Sequence, residues 1–433
     1  MHSNILCLRP FMRLLSKSGE MSRLDLVIFG ATGFTGKHAA MEMCHIVKKY
    51  PGMSWGVAGR SEGKLNNLLK EVSKKVDEDL SSVKVITAEL SDEASLKAMT
   101  AQARVLVNCC GPYYLYGEPV VKASIDTKTH YVDVSGEPQF MERMQLVYGS
   151  AAREAGVFII SACGFDSIPN DLGVIFLQQN FGGTLNSVES YLSGEVPPEH
   201  SGGGVVNYGT WESLVHGMSH HNELPALRKK LYPEKLPTYR PKLKPRFMIH
   251  RRGGWCLPFP GSDSSVVFRT QRQLHAEGSR PAQVRTYVRL PSLVSALITM
   301  FVASVVFLMS KLSFTRSLLL AYPELFSLGA VRRGPSEDAI RNTRFRFELY
   351  GEGWSGDSGS PPDKKMTVRV SGVNPGYGAT VHALLHSAIT ILRHRDRMPA
   401  QTGVLTPGAA FRNTDLIQRL CDHGLLFEVV RDQ

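Results

Sequence analysis

No CxxC pair occurs among the seven cysteines (7, 44, 109, 110, 163, 256 and 421), and their number is odd. That argues against a zinc ribbon and against a secreted disulfide framework, and for a reducing compartment. There is no internal repeat, Walker loop, GxSxG elbow or EF-hand loop, which sets aside several families of hydrolase and nucleotidase. None of the fourteen tyrosines has a lysine four residues on, the pairing with which short-chain dehydrogenases ready a tyrosine for proton exchange. Acids are outnumbered, 39 against 50 Lys and Arg, for a formal charge of +11. The excess is local, because residues 226–252 hold ten bases and one acid, Glu234, a net of +9. Prolines at 225, 233, 237, 241 and 245 interrupt that run, so it cannot form a continuous basic helix, and without a nucleic-acid-reading motif no nucleic-acid partner is expected.

What is present is ordinary globular material: 433 residues, 43% hydrophobic and 21% charged. The length exceeds what one core usually fills, so two domains are expected. Leu24–Phe29 is a run of strand formers ending at Gly30, followed by a helical pattern over 36–50 and a strand at Trp55–Ala58. The alternation continues with helices near 62–76, 92–102, 118–127 and 138–155, and strands at 83–88, 105–109, 131–134 and 157–161. Such a pattern predicts an α/β fold, a doubly wound parallel sheet of the Rossmann type over 21–165. From 166 to 433 the chain reads as a second, α+β domain for substrate binding or dimerisation, with strands near 186–193, 264–272, 344–349 and 366–371.

Gly30-Ala31-Thr32-Gly33-Phe34-Thr35-Gly36 follows the first strand and opens the first helix. Three glycines permit the tight turn and a close approach of backbone to a diphosphate, which the amides and dipole of the helix N-terminus then stabilise. At the end of the second strand, where an acid would accept the ribose 2′-hydroxyl of NAD, stands Arg60. A guanidinium there suits a 2′-phosphate, so NADP is favoured over NAD. Asn108, Gly111 and Pro112 end the fourth strand, at the edge where an open sheet places its ligand, and complete the expected cofactor contacts. Tyr113, Tyr114 and Tyr116 follow, placed either to line the nicotinamide end or to pack as an aromatic cluster.

No proton donor stands out. Tyr114, Asp166 and His216 are the catalytic candidates, with Asp133 and Glu137 beside them, and for each acid the alternative is a helix cap or turn closure. His216/His220 and His382/His386 have the HxxxH spacing, but neither pair has a third ligand in sequence reach, so no metal is expected.

Leu290–Ser310 is 21 uncharged residues bounded by Arg289 and Lys311, and a second apolar stretch, 317–331, is broken by Pro323 and Glu324. Residues 290–331 therefore read as an inserted apolar hairpin that dips into a membrane or lipid-droplet surface, is buried in a core or homodimer, or spans a bilayer. The first twenty residues carry Arg9, Arg13 and Lys17 and no acid before Glu20, as a mitochondrial presequence or a disordered extension would.

From Leu24 onward the chain resembles the saccharopine dehydrogenase-like oxidoreductases of the saccharopine dehydrogenase family, through FGATGFTG (29–36), VAGRSEGKL (57–65), VNCCGPYYLYGEPVV (107–121), DVSGEPQFMERMQ (133–145), SACGFDSIPNDLGV (161–174) and TPGAAF (406–411). The resemblance implies a Rossmann domain followed by a saccharopine-reductase-like domain, nucleotide contacts at Gly30, Gly33, Gly36 and Arg60, and an association with membranes, lipid droplets and mitochondria, the plasma membrane being a further location. It also brings in trans-acting enoyl reductases of lipid and glycolipid assembly, a similar bacterial family. Three readings follow: an NAD(P)-dependent oxidoreductase acting on a lipid or other hydrophobic substrate, a silent nucleotide-binding scaffold of lipid droplets or membranes, and a soluble saccharopine or amino-acid dehydrogenase.

Overall fold

A computed structural model of the chain describes residues 23–165, 167–197, 199, 204, 206–237, 239–332, 336–356 and 361–430. The presequence-like residues 1–20 and the candidate Asp166 lie outside them.

Six strands alternate with five helices along the first part of the chain: β1 (Leu24–Phe29), α1 (Phe34–Lys49), β2 (Trp55–Gly59), α2 (Glu62–Val76), β3 (Lys84–Thr87), α3 (Glu93–Thr100), β4 (Ala103–Asn108), α4 (Tyr113–Asp126), β5 (His130–Asp133), α5 (Pro138–Ala155) and β6 (Phe158–Ile160). All pair in parallel in the order β6-β5-β4-β1-β2-β3, the doubly wound arrangement. Both faces are covered, so the central strands carry apolar residues without alternation. On β1, Leu26 and Ile28 join one buried cluster while Val27 and Phe29 join another across the sheet. Helix starts are locally encoded: Ser61 accepts from the Lys64 amide, Asp92 accepts from the Ala94 and Ser95 amides, and Pro138 occupies the first turn of α5.

After α6 (Ser167–Asn180) the chain builds a second, mixed sheet from β7 (Thr184–Glu195), β9 (Ile249–Arg251), β10 (Gly254–Pro258), β11 (Gln283–Leu290), β13 (Arg344–Trp354), β14 (Lys364–Val373) and β16 (Leu426–Val430), in the order β16-β14-β13-β7-β11-β10-β9. Here period-2 alternation is plain. Phe345, Phe347 and Leu349 face the buried side, while Arg344, Arg346 and Glu348 face outward. Between these strands lies an inserted lobe: β8 (Val206–Asn207) paired with β12 (Val331–Arg332), and helices α7 (Tyr208–Ser219), α8 (Leu224–Leu231), α10 (Leu293–Ser310), α11 (Ser313–Ala321) and α12 (Pro323–Phe326). Its small core joins Trp211 and Val215 to Val306, Leu319 and Val331, and the Trp211 indole donates to the Leu319 carbonyl at 2.9 Å.

Two expectations change. Residues 264–272 are not a strand but part of helix α9 (Asp263–Ala276). Val266, Val267 and Thr270 favour strands, yet Val266, Val267, Thr270 and Leu274 share the buried face of a helix packed on α6, and packing overrides propensity. The boundary at 165 also divides the chain without dividing the sheet. After α13 (Glu337–Asn342), α14 (Thr380–Arg393) packs against α1, β4 and β5, and β15 (Gly403–Leu405) pairs with β6 as a seventh parallel strand. A three-residue strand is too short to show a period. Two short helices, α15 (Pro407–Phe411) and α16 (Leu416–Cys421), precede β16.

Candidate functional site

The glycine turn sits at the carboxyl edge of the first sheet, between β1 and β4, where the strand order reverses. Each glycine there has its own reason. Gly30 holds φ +78°, and a Cβ on it would stand 2.6 Å from the Cys110 sulfur. At Gly36 a Cβ would meet the Gly30 carbonyl oxygen at 2.3 Å and the Ala31 Cα at 2.7 Å, so this glycine lets the helix close on the turn. Gly33 differs, since its φ of −74° and ψ of 170° suit any residue and Thr32 and Gly33 are exposed. What Gly33 leaves open is the approach to the N-terminus of α1, which has no side-chain cap and no acid in its first turn. Bare amides at an uncapped, acid-free helix end are a ready anion cradle. The residues present therefore fit a dinucleotide diphosphate, with Ala31 buried beneath the turn and Phe34 and Thr35 half-buried beside it.

Arg60 follows β2 directly and is exposed, while the adjacent Ser61 hydroxyl is occupied as the cap of α2. Of this pair the free group is the guanidinium, which is what a 2′-phosphate requires.

At the next strand ends the expected contacts divide. Asn108 is fully buried, its amide donating to the Tyr131 hydroxyl at 3.0 Å and its oxygen accepting from the Cys110 amide at 3.0 Å. It shapes the 109–112 loop from below. Gly111 at the top of that loop is exposed, and Pro112 begins α4. Asp133 lies in the same buried layer. Its carboxylate accepts from the Ser135 and Ala162 amides at 2.9 and 3.1 Å and from the Tyr131 and Ser161 hydroxyls at 2.8 and 2.9 Å. Burial pushes its pKa up to about 6 against those four bonds. Glu137 accepts from the Tyr113 and Tyr114 amides at 2.9 and 2.7 Å and so caps α4 from another element. Both acids tie strand ends and helix starts together.

Tyr114 stands in the first turn of α4 and meets the inserted lobe. Its hydroxyl donates to Glu223 at 2.8 Å, its ring stacks on His220 with centroids 4.0 Å apart, and the Arg143 guanidinium lies 5.4 Å from the ring centre. Burial first, and then Glu223, raise its pKa above the ordinary phenol value. His216 is one turn from His220 on α7 but does not join this group. Burial and the Arg316 charge hold its imidazole below the usual value. His382 and His386 share a face of α14 and collect His423, with ring centroids 6.4 Å apart within the pair and 4.2 Å from His386 to His423. Among the described residues no set of three His, Cys, Asp or Glu side chains is arranged to hold a metal.

The sequence did not disclose what covers the turn. Tyr377, which follows β14, packs on Phe34 with ring centroids 4.0 Å apart, and His38 stacks on Phe34 at 4.6 Å. Residues 343 positions apart leave no local signal, nor does the pairing of Tyr114 with Glu223.

Comparison with known proteins agrees with this geometry. Residues 26–160 match the family described as the saccharopine dehydrogenase NADP binding domain. The chain is 38% identical over 424 residues to the human saccharopine dehydrogenase-like oxidoreductase, covering 95% of this chain and 98% of that one. It is 37% identical to the lipid droplet localized protein of Caenorhabditis elegans, over 94% of this chain and 99% of the relative. A more distant relative is a putative trans-acting enoyl reductase of Mycobacterium tuberculosis, 28% identical over 94% and 97%. Among solved structures, the apo saccharopine dehydrogenase (L-Glu forming) of Saccharomyces cerevisiae superposes with a TM-score of 0.52 at 17% identity, covering 94% of this chain and all of that one, a likeness of fold.

Proposed function

The chain belongs to the saccharopine dehydrogenase-like NADP-binding oxidoreductases, and from that premise we propose that it reduces a hydrophobic substrate presented at a membrane or lipid-droplet surface. One observation carries the reading. Helix α10 is long and apolar enough to enter a bilayer, yet only 17% of it is buried in the fold. Val294, Phe301 and Leu308 are 65, 70 and 68% exposed, and beyond the helix Leu312, Phe314, Leu325 and Leu328 are exposed too. A core helix would hide these side chains, and monomeric soluble proteins rarely expose so continuous an apolar patch. The hairpin is held in place by polar ties on its other side, including the Lys311 ammonium bound to the Met218 carbonyl at 2.8 Å. The names of the nematode and mycobacterial relatives support a lipid setting and, as reaction class, reduction of a carbon–carbon double bond conjugated to a carbonyl.

NADPH supplies a hydride equivalent when bound. The chain's own part is to grip the diphosphate with the amides of residues 32–35, to hold the adenosine side with Arg60, and to keep water from the nicotinamide end with the inserted lobe. Tyr114 is the group we assign to the accompanying proton. Its hydroxyl is hydrogen-bonded to Glu223 while its ring stacks on His220, so a proton lost from the hydroxyl can be returned through the Glu223 carboxyl group.

The test follows NADPH in purified protein, its consumption when long-chain α,β-unsaturated acyl thioesters in vesicles or short soluble analogues are offered, and its formation when saccharopine is offered with NADP. Turnover confined to the long-chain set is expected. Turnover of saccharopine alone would overturn the proposal in favour of an amino-acid dehydrogenase. Nucleotide binding without any turnover would overturn it in favour of a silent scaffold.

A further inference from the structure

The outer face of the second sheet holds a cavity of about 1060 Å³ that the nucleotide site does not use. Four guanidinium groups line it, Arg252, Arg289, Arg344 and Arg346, against two carboxylates, Glu195 and Glu348. The carboxylates do not neutralise the arginines evenly. Glu348 is shared by Arg289, at 2.8 Å, and by Arg369 from the neighbouring strand, at 3.8 Å. Arg252 stands over the Tyr350 ring, its guanidinium carbon 3.7 Å from the ring centre. Arg344 and Arg346 are exposed, and among the described residues neither enters an ion pair, although Glu195 is the cross-strand neighbour of Arg344. Two of the lining arginines are thus engaged, and the other two are exposed and without an ion pair among the described residues. That is a receptor for an anion with several oxygens, which a planar guanidinium meets two at a time.

The position of the cavity identifies the anion's source. Leu290 and Pro291 form part of its wall, and two residues on, after the Ser292 cap, the exposed apolar helix α10 begins. An anion held between Arg344 and Arg346 lies at the root of that helix, as a lipid headgroup does relative to its chains. We propose that this cavity binds the headgroup of an anionic phospholipid in the surface on which α10 lies. The inference rests on the lipid-surface reading above and adds to it the lipid class.

The experiment is co-flotation of the purified full chain with vesicles of phosphatidylcholine alone and with vesicles containing phosphatidylserine. Four proteins are compared: wild type; Arg344→Glu/Arg346→Glu; a control that removes equal charge elsewhere, Lys70→Glu/Lys74→Glu on α2; and Phe301→Glu/Leu308→Glu. Each is first shown to be folded by its melting curve. Wild type and control are expected to bind serine-containing vesicles roughly tenfold more tightly than neutral ones, an increment that salt weakens. The arginine variant is expected to keep neutral binding and lose the increment, and the helix variant to lose both. Free glycerol phosphate should not compete; if it does, the site is for a soluble phosphate and the proposal falls. It falls equally if the arginine variant keeps the increment, if the control loses it, or if the arginine variant alters the oligomeric state, which would make this face a contact between copies. These outcomes leave the lipid-surface reading standing. That reading falls separately if wild type binds neither vesicle or the helix variant binds neutral vesicles unchanged.

Discussion

Replacing Gly33 and Gly36 one at a time by alanine should separate the two jobs of the turn. At Gly36 the new methyl would stand 2.3, 2.7 and 2.9 Å from three backbone atoms of Gly30 and Ala31. Backbone cannot swing aside as a side chain can, so the turn must open, at a cost of about 3 kcal/mol or more. At Gly33 the only close atom is the Gly30 carbonyl oxygen at 3.2 Å, and the backbone angles suit alanine. Unliganded stability should then change by no more than about 1 kcal/mol. The methyl would occupy the approach to the helix amides, so NADPH affinity should fall roughly tenfold, about 1.4 kcal/mol. Differential scanning fluorimetry reads both quantities. With nucleotide at about one hundred times the wild-type Kd, wild type gains about 2.7 kcal/mol, and Gly33→Ala should gain about half of that. Gly33→Ala with an undiminished nucleotide shift, or Gly36→Ala with wild-type stability, would refute the assignment of these residues.

Arg60→Ala should weaken NADPH roughly tenfold or more and leave NADH within about twofold, because only the former offers a 2′-phosphate; equal losses for both, by titration calorimetry, would remove Arg60 from the discrimination. Asp133→Ala leaves two amides and two hydroxyls of the buried layer without their acceptor, and urea unfolding should show a loss of roughly 4 kcal/mol; a loss below about 1 kcal/mol would contradict the tie described for it. Burial, with His423 the next contributor to each, holds His382 to about 4 and His386 to about 3. Between pH 6.5 and 4 the unfolded chain takes up protons that these folded rings refuse, so stability falls with pH there, by about 2 kcal/mol per ring between pH 7 and 5. His386→Leu should remove one such increment, and an unchanged pH slope of the denaturant midpoint would show that the ring is not held neutral.

The first sheet could be read from the sequence because its central strands are buried on both faces and separated by helices of regular length. Leu24–Phe29 ending at Gly30 and Trp55–Gly59 ending at Arg60 are short apolar runs with chemistry at their carboxyl ends, and the turn between β1 and α1 is contiguous in sequence. What could not be read depends on distance or on packing. Residues 264–272 carry strand-forming side chains on a helix that α6 buries, and Gly403–Leu405 is a strand only because β6 offers an edge. Asp133 and Glu137 could be read from the sequence as catalytic acids or as cap and turn residues, and their hydrogen-bond partners decide for the second. The partners of Tyr114, and the arginine pair of β13 with the helix at 293, come from segments far apart in the chain. Even so, period 2 along 344–350 already places Arg344 and Arg346 on one face, and that signal was available.

The central claim is that the turn at Gly30–Gly36 and the arginine after β2 hold NADP, and calorimetric titration of the intact protein with NADPH and with NADH measures it most directly. Saturable heat with NADPH at clearly higher affinity than with NADH is the predicted result. No heat from either nucleotide, on protein with a sharp melting transition, would contradict it.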